Sequence, residues 1–342
     1  MIKTLLVVDW NELEMDYCVP LINNSKFGDT IEIWNCKKNK IFPNPFFQRY
    51  YEYISAVAFI LQHHKKYTHI VLWQQIIGFM LALLPTKKIH LKTIITTVLY
   101  SEKSTKHNII KNYIFRNSIK KVKALLYYSK EMYNEALVNF KQYNKKFYYT
   151  NIPILFSSEV KLSKSQYSTL IDPDQTIFCG GSSDRDFETV ILAFRNTKIP
   201  VVIVCPNKHL ISNINLLTNN IKVLRYSEVS NSEYYYLAHK AFCILIPLKK
   251  ESSSCGQLLF SFAMNNNKPI IASDSQGVRG YIKHEFNGLL VSVKNSVEIR
   301  EAYTSLIDNK KLKEMVCKNS KDIAKKMSLN NYLHIINKIT KD

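Results

Sequence analysis

Glycine is scarce in this chain. The 342 residues hold eight, and six of them lie between Gly180 and Gly288. Tight turns, and backbone laid close against a ligand, are therefore expected mainly in the second half. Cysteine occurs seven times, with no C-x-x-C pair and an odd total. That speaks against a structural zinc site or a disulfide framework, and for a reduced, cytoplasmic compartment. Long apolar runs are missing too. The best, 54–61 and 76–84, fall far short of the ~20 residues of a membrane span. The opening Met1-Ile2-Lys3-Thr4-Leu5-Leu6-Val7-Val8-Asp9 lacks a signal-peptide cleavage pattern and reads as a strand. Acid is in short supply: 27 Asp and Glu against 47 Lys and Arg give a net charge of +20. Such a charge bears on partners, not on fold.

What is present is an ordinary globular composition, 46% apolar and 22% charged, enough for about two domains. Short apolar runs rich in Ile, Val, Leu and Tyr recur at 3–8, 30–34, 69–73, 92–99, 123–128 and 147–149. They resume at 176–180, 200–205, 221–225, 242–247, 269–273 and 288–291. Little strict alternation marks them as strands covered on both faces. Helix-like stretches lie between them, at 46–64, 106–121, 130–141, 185–195, 231–240, 255–266, 296–307 and 310–326. Such alternation predicts α/β architecture with parallel sheets and right-handed crossovers. The rhythm breaks at 151–168. The expected organisation is a Rossmann-like domain over 1–155, a second over 156–325, and a C-terminal helix over 326–342 that crosses back to the first.

Ligands of open α/β sheets bind beyond the C-terminal strand ends. Three loops there stand out. Cys179-Gly180-Gly181-Ser182-Ser183-Asp184-Arg185-Asp186 joins a strand to a helix; the glycine pair permits close backbone approach, and Arg185 offers a fork matched to phosphate. A plain turn capped by Asp184 explains the same residues. The run Ile244 to Met264 takes a strand ending at Pro247 through a serine-rich loop to a helix starting at Gly256-Gln257. Its helix N-terminus suits a phosphate or sugar hydroxyl, with Lys249 or Lys250 neutralising charge; Ser253 or Ser254 as a simple cap is the plainer account. Lys268-Pro269-Ile270-Ile271-Ala272-Ser273 then leads, through a polar loop, to Asn287-Gly288-Leu289-Leu290-Val291. Asp172-Pro173-Asp174 precedes a strand and reads as a turn rather than a metal site.

In this order the three pieces resemble GT-B glycosyltransferases, with a C-terminal half like the large family 4 group over roughly 170–330. The resemblance implies two facing Rossmann-like domains with a cleft, and a nucleotide-sugar donor held mainly by the second. It places Gly181, Arg185 and Lys249 at the diphosphate. Ser254, Cys255, Gly256 and Gln257 fall at the phosphates or sugar, and Arg225 and Tyr226 at the base. No metal or other cofactor is implied. Members of that group usually carry two glutamates eight positions apart; here those positions hold Ser254 and Phe262, with Glu251 three residues early. This resembles a Ser-x-Gly-Gln subgroup. A catalytically silent GT-B subunit that stabilises an active transferase is the alternative that the missing pair suggests.

An inverting transferase needs a base for the acceptor's proton. Glu102 is the candidate, in the loop after strand 92–99, where the implied cleft lies. Asp9 and Glu12 are runners-up, with Asn11 and His107 as acceptor or cleft residues. The implied acceptor is a glycan or lipid-linked saccharide of the kind assembled at bacterial surfaces. Residues 87–130 hold eleven Lys or Arg and one acid, interleaved with Tyr100, Tyr113, Phe115, Tyr127 and Tyr128. This predicts a face for an anionic membrane at the inner side of the cell. Nucleic acid is disfavoured, because no nucleic-acid module is recognisable.

Overall fold

The computed structural model describes residues 3–37, 41–98, 109–155, 165–206, 218–252 and 255–341. The chain forms two compact units, one of Met1–Ile152 with Leu329–Asp342 and one of Pro153–Ser328. Each is built on a six-stranded sheet whose strand pairs are all parallel.

In the first unit the strands are β1 (Thr4–Val8), β2 (Ile31–Asn35), β3 (His69–Leu72), β4 (Thr93–Val98), β5 (Ala124–Tyr127) and β6 (Phe147–Tyr149), in the order β2-β1-β3-β4-β5-β6. Helices α1 (Glu12–Asn23), α2 (Pro45–His63), α3 (Gln75–Leu83), α4 (Lys87–His90), α5 (Ile109–Lys121) and α6 (Lys130–Asn139) connect them. The last helix of the chain, α12 (Leu329–Lys341), belongs to this unit: Tyr332 packs edge-on against Trp73 (5.7 Å) and Tyr128 (6.4 Å). The core of this unit gathers strands and helices along its N-terminal part, with Leu5, Val7, Ile70, Leu72, Ile95, Leu125, Phe115 and Tyr127 in one cluster.

The second unit holds β7 (Ile177–Gly180), β8 (Val201–Cys205), β9 (Ile221–Arg225), β10 (Cys243–Ile246), β11 (Ile270–Ser273) and β12 (Leu289–Val291), in the order β12-β11-β10-β7-β8-β9. Its helices are α7 (Phe187–Phe194), α8 (Asn231–Lys240), α9 (Gln257–Asn265), α10 (Ser296–Asp308) and α11 (Lys310–Lys325). The order turns around at β7 and β10, and neighbouring loops diverge there, opening a crevice at the strand ends.

All twelve expected strands are present, their ends displaced by a residue at most. Three helices had no counterpart in the sequence reading. α1 starts on a reciprocal cap: Asn11 Oδ1 accepts from Glu14 N (2.9 Å), and Glu14 Oε2 accepts from Asn11 N (2.8 Å). It continues through Pro20, a residue that normally stops a helix. α3 is almost wholly apolar, so it shows no period to read. α4 is a single turn. The helix expected from 185 begins at Phe187, because Asp186, not Asp184, is its cap: the Asp186 carboxylate accepts from Thr189 N (3.3 Å) and Thr189 Oγ1 (2.7 Å).

Candidate active site

The loops after β7, β10 and β11 are stitched together at one end of the second sheet. Arg185 pairs with Leu248 in an isolated antiparallel bridge. Asp186 N donates to Pro247 O (3.1 Å), and Lys249 N donates to Asp184 O (3.1 Å). Leu248 N donates to Ser273 Oγ (2.9 Å), and Gln276 N to Glu251 O (2.7 Å). Asp184 sits at φ +54°, the left-handed conformation that aspartate tolerates better than most residues. The result is a framework of backbone bonds, in which main-chain atoms rather than long side chains set the shape.

Within it, Gly181 has φ +127°, and a Cβ there would lie 2.5 Å from the Arg185 guanidinium. Only glycine fits that spot. Arg185 is almost buried: its Nε donates to Gly180 O (2.9 Å) and its Nη1 to Ser183 O (2.8 Å). The guanidinium is thus pinned by the loop it follows, ready to meet an anion without losing much rotamer freedom. Tyr226 lies beside both. Burial pushes its phenol pKa up to about 12 despite the nearby Arg185 charge, while the Gly181 N–H donates to Val204 O (3.4 Å). Structure therefore brings Gly181, Arg185 and Tyr226 together. Arg225 is exposed, its N–H bonded to Glu228 Oε2 (2.5 Å).

α9 is entered through Gly256 at φ +103°, which as a glycine supplies no side-chain cap. Ser253, like Ser254, the other serine read as a cap, lies outside the described residues. A Cβ at Gly256 would press on Ile246 at 3.0 Å. The N-terminus of α9 presents the positive end of the helix dipole. Gln257 is buried and reaches Gly277 O (3.4 Å), Cys255 is half-buried, and Lys249 is exposed. Ser275, on the neighbouring loop, has a fully buried hydroxyl with no partner. Phe262, at a position where a glutamate is usual in the resembled group, is core and packs on Tyr235 (4.8 Å). Ser254 lies outside the described residues.

At the corresponding end of the first sheet, the polar groups brought together are side chains. Asp9 is nearly buried and accepts from Gln74 Nε2 (2.8 Å). Glu12 is exposed, and Asn11 spends its amide oxygen on the α1 cap. The residue that sequence reasoning missed is Glu14. Burial raises its carboxyl to about 7, against the Asn11 backbone bond and the Lys37 charge, with the Asp9 charge adding to the rise. The Asn-x-x-Glu spacing of a capping box was the available signal. Glu102 and His107 lie outside the described residues.

The basic segment 87–130 loses part of its case as an interface. Phe115, Tyr127 and Tyr128 are core side chains, and only Tyr113 among the described aromatics there is exposed. Lys92 and Lys121 bind backbone carbonyls, Lys92 those of His64 and Tyr67 and Lys121 that of Ala82. No helix among the described residues is long and apolar enough to cross a membrane. Asp172 does form a turn, its carboxylate accepting from Asp174 N (2.9 Å).

Residues 182–323 match the family described as Glycosyl transferases group 1. No curated protein matches by sequence. Among solved structures, sucrose-phosphate synthase from Thermosynechococcus elongatus superposes with a TM-score of 0.72 at 12% identity, covering 99% of this chain and 98% of that one. HepE from Anabaena, crystallised with UDP, gives 0.67 at 13% identity over 98% and 100%. WaaB, a lipopolysaccharide outer core galactosyltransferase in its apo form, gives 0.64 at 12% identity over 99% of each chain. At these identities the likeness establishes the fold, the two-sheet GT-B architecture.

Proposed function

We propose that this GT-B protein, whose residues 182–323 form a group 1 glycosyltransferase domain, transfers a sugar from a uridine diphosphate donor to a glycan or lipid-linked saccharide. The observation that carries the reading is the pairing of a pinned Arg185 with the N-terminus of α9, entered through the left-handed Gly256, at one sheet end. Both favour a diphosphate, and both gain strength as negative charge builds on the leaving group. Gly181 lets the donor approach the main chain, and Tyr226 is the wall offered to the base. UDP and UDP-glucose complexes of the structurally similar HepE support the choice of uridine. WaaB supports a saccharide acceptor of the bacterial surface. Seven free thiols support a cytoplasmic site of action. No metal ion enters the proposal.

The acceptor is assigned to loops of the first sheet. Glu102 takes the acceptor's proton if the anomeric centre inverts, and Asp9 is the second candidate, already held by Gln74. Donor binding is tested by thermal shift with UDP, GDP, ADP, TDP and CMP. A ligand at 100 times its Kd adds about 2.7 kcal/mol of stability. A shift with UDP above the others is expected; equal silence from all five removes the donor reading.

Phe262 in the core at a usual glutamate position favours a second reading, a silent subunit that stabilises an active transferase. Purified protein that turns over UDP-sugar only when a second subunit is added would establish it.

A further inference from the structure

Helix α2 is apolar on two sides. Tyr53, Ala56, Val57 and Ile60 face the core of the first unit. On the solvent side stand Phe46 (62% exposed), Phe47 (59%), Tyr50 (48%) and Ile54 (56%), joined by Ile41 and Phe42 from the preceding loop. They form one surface: Phe46 lies 4.7 Å from Tyr50 and 5.7 Å from Phe47. The surface is also held in place. Gln48 Oε1 accepts from both Ile41 N and Phe42 N at 2.9 Å, which ties the loop to the helix, and Gln48 Nε2 donates to Glu52 (2.9 Å). Single exposed apolar residues are ordinary; six large ones in a fixed cluster mark a surface that meets something other than water.

Charge decides what. Among the described residues from 37 to 51 the charged side chains are the exposed cations Lys37 and Arg49, with no acid, and the next carboxylate, Glu52, is buried; Lys38 and Lys40 lie outside the described residues. A second copy of this face would set like charges against each other. A spanning role is excluded for α2, since no described helix is long and apolar enough to cross a membrane. We propose that the α2 face docks this protein on an anionic bilayer, its phenyl and isoleucyl groups entering the acyl boundary while the cations meet lipid headgroups. Tyr50, apolar in body and polar at its tip, suits that depth. The proposal does not rest on the donor reading, which is measured by nucleotide binding in the absence of lipid.

The test is flotation of the full chain with vesicles of phosphatidylcholine alone or with about 30 mol% phosphatidylglycerol. Wild-type protein is expected to float with the anionic vesicles, and F46S/F47S to bind them at least ~10-fold more weakly. The variant should keep the wild-type melting curve and UDP response, since both side chains are exposed. Salt at about 0.5 M should weaken wild-type binding without abolishing it. As a second readout, the Phe47→Trp indole should shift to the blue on the vesicles and be quenched by brominated acyl chains. Failure of wild-type protein to bind anionic vesicles, equal binding by F46S/F47S, or an unquenched indole would each overturn the proposal. So would a concentration-dependent dimer that F46S/F47S dissolves, which would make the face a self-interface.

Discussion

The two sheets have the same number of strands, all parallel, yet their C-terminal ends are built from different material. In the second unit, glycines at 181 and 256 adopt left-handed backbone, and main-chain bonds among the loops after β7, β10 and β11 define the surface. In the first unit the only glycines, Gly28 and Gly78, serve packing: a Cβ on Gly78 would lie 2.4 Å from Ile95. Near its strand ends sit carboxylates held by amides, Asp9 by Gln74 and Glu14 by the Asn11 backbone N–H. Backbone amides suit a ligand of fixed, high charge such as a diphosphate, because they cost no reorganisation when charge grows. Side-chain carboxylates suit proton transfer and can vary with the acceptor.

That contrast can be broken first at its catalytic end. Glu102→Gln should lower transfer about 10³-fold while leaving UDP affinity unchanged, measured by turnover alongside calorimetry. Near wild-type transfer would remove Glu102 and move attention to Asp9. Arg185→Ala should cut kcat/KM for donor by about 100-fold or more, on the scale of losing one oxyanion donor. Unaltered donor kinetics would leave the backbone framework without a ligand.

Glu14 sharpens the comparison through pH. Its folded carboxyl titrates near 7 and its unfolded one near the ordinary 4.5, so between those values the folded state holds a proton that the unfolded state releases. Stability therefore falls as pH rises from about 4.5 to about 7, by at most about 3 kcal/mol, and levels off above. Glu14→Gln keeps a capping side chain at that position and should flatten the slope, gaining stability at pH 8 and little at pH 5. Urea titrations at the two pH values decide it, and a variant with the wild-type slope would place the titration elsewhere. The smallest effect belongs to Gly256→Ala, about 1–2 kcal/mol of strain from a left-handed cap, read as a lowered urea midpoint. An unchanged midpoint would show that the cap tolerates a side chain.

Strands were legible because runs such as Val201–Cys205 and Cys243–Ile246 are short, apolar and bounded by polar turns. The glycine-bearing loops at the strand ends of the second unit stood out because glycine is otherwise so rare. Caps were not. Asp184 and Asp186 are both plausible by type, and only the Arg185–Leu248 bridge, a contact across 63 residues, delays the helix to Phe187. Nor was burial legible in segment 87–130, where Tyr127 and Tyr128 look amphipathic in sequence but lie buried at and just after the end of β5. The α2 surface escaped for the opposite reason. Its apolar residues looked like core, and only the folded chain shows which of them have nothing above them.

The placement of α12 has a consequence for biosynthesis. The first unit is assembled from the beginning and the end of the chain, with the whole second unit inserted between. A nascent chain that has emerged only as far as Ser328 already holds all six strands of the first sheet, but Trp73 and Tyr128 still lack Tyr332. The second unit, continuous from Pro153 to Ser328, can complete itself before the first does. The half begun first is thus completed after the other, and Trp73 and Tyr128 wait uncovered until α12 and its Tyr332 have been made.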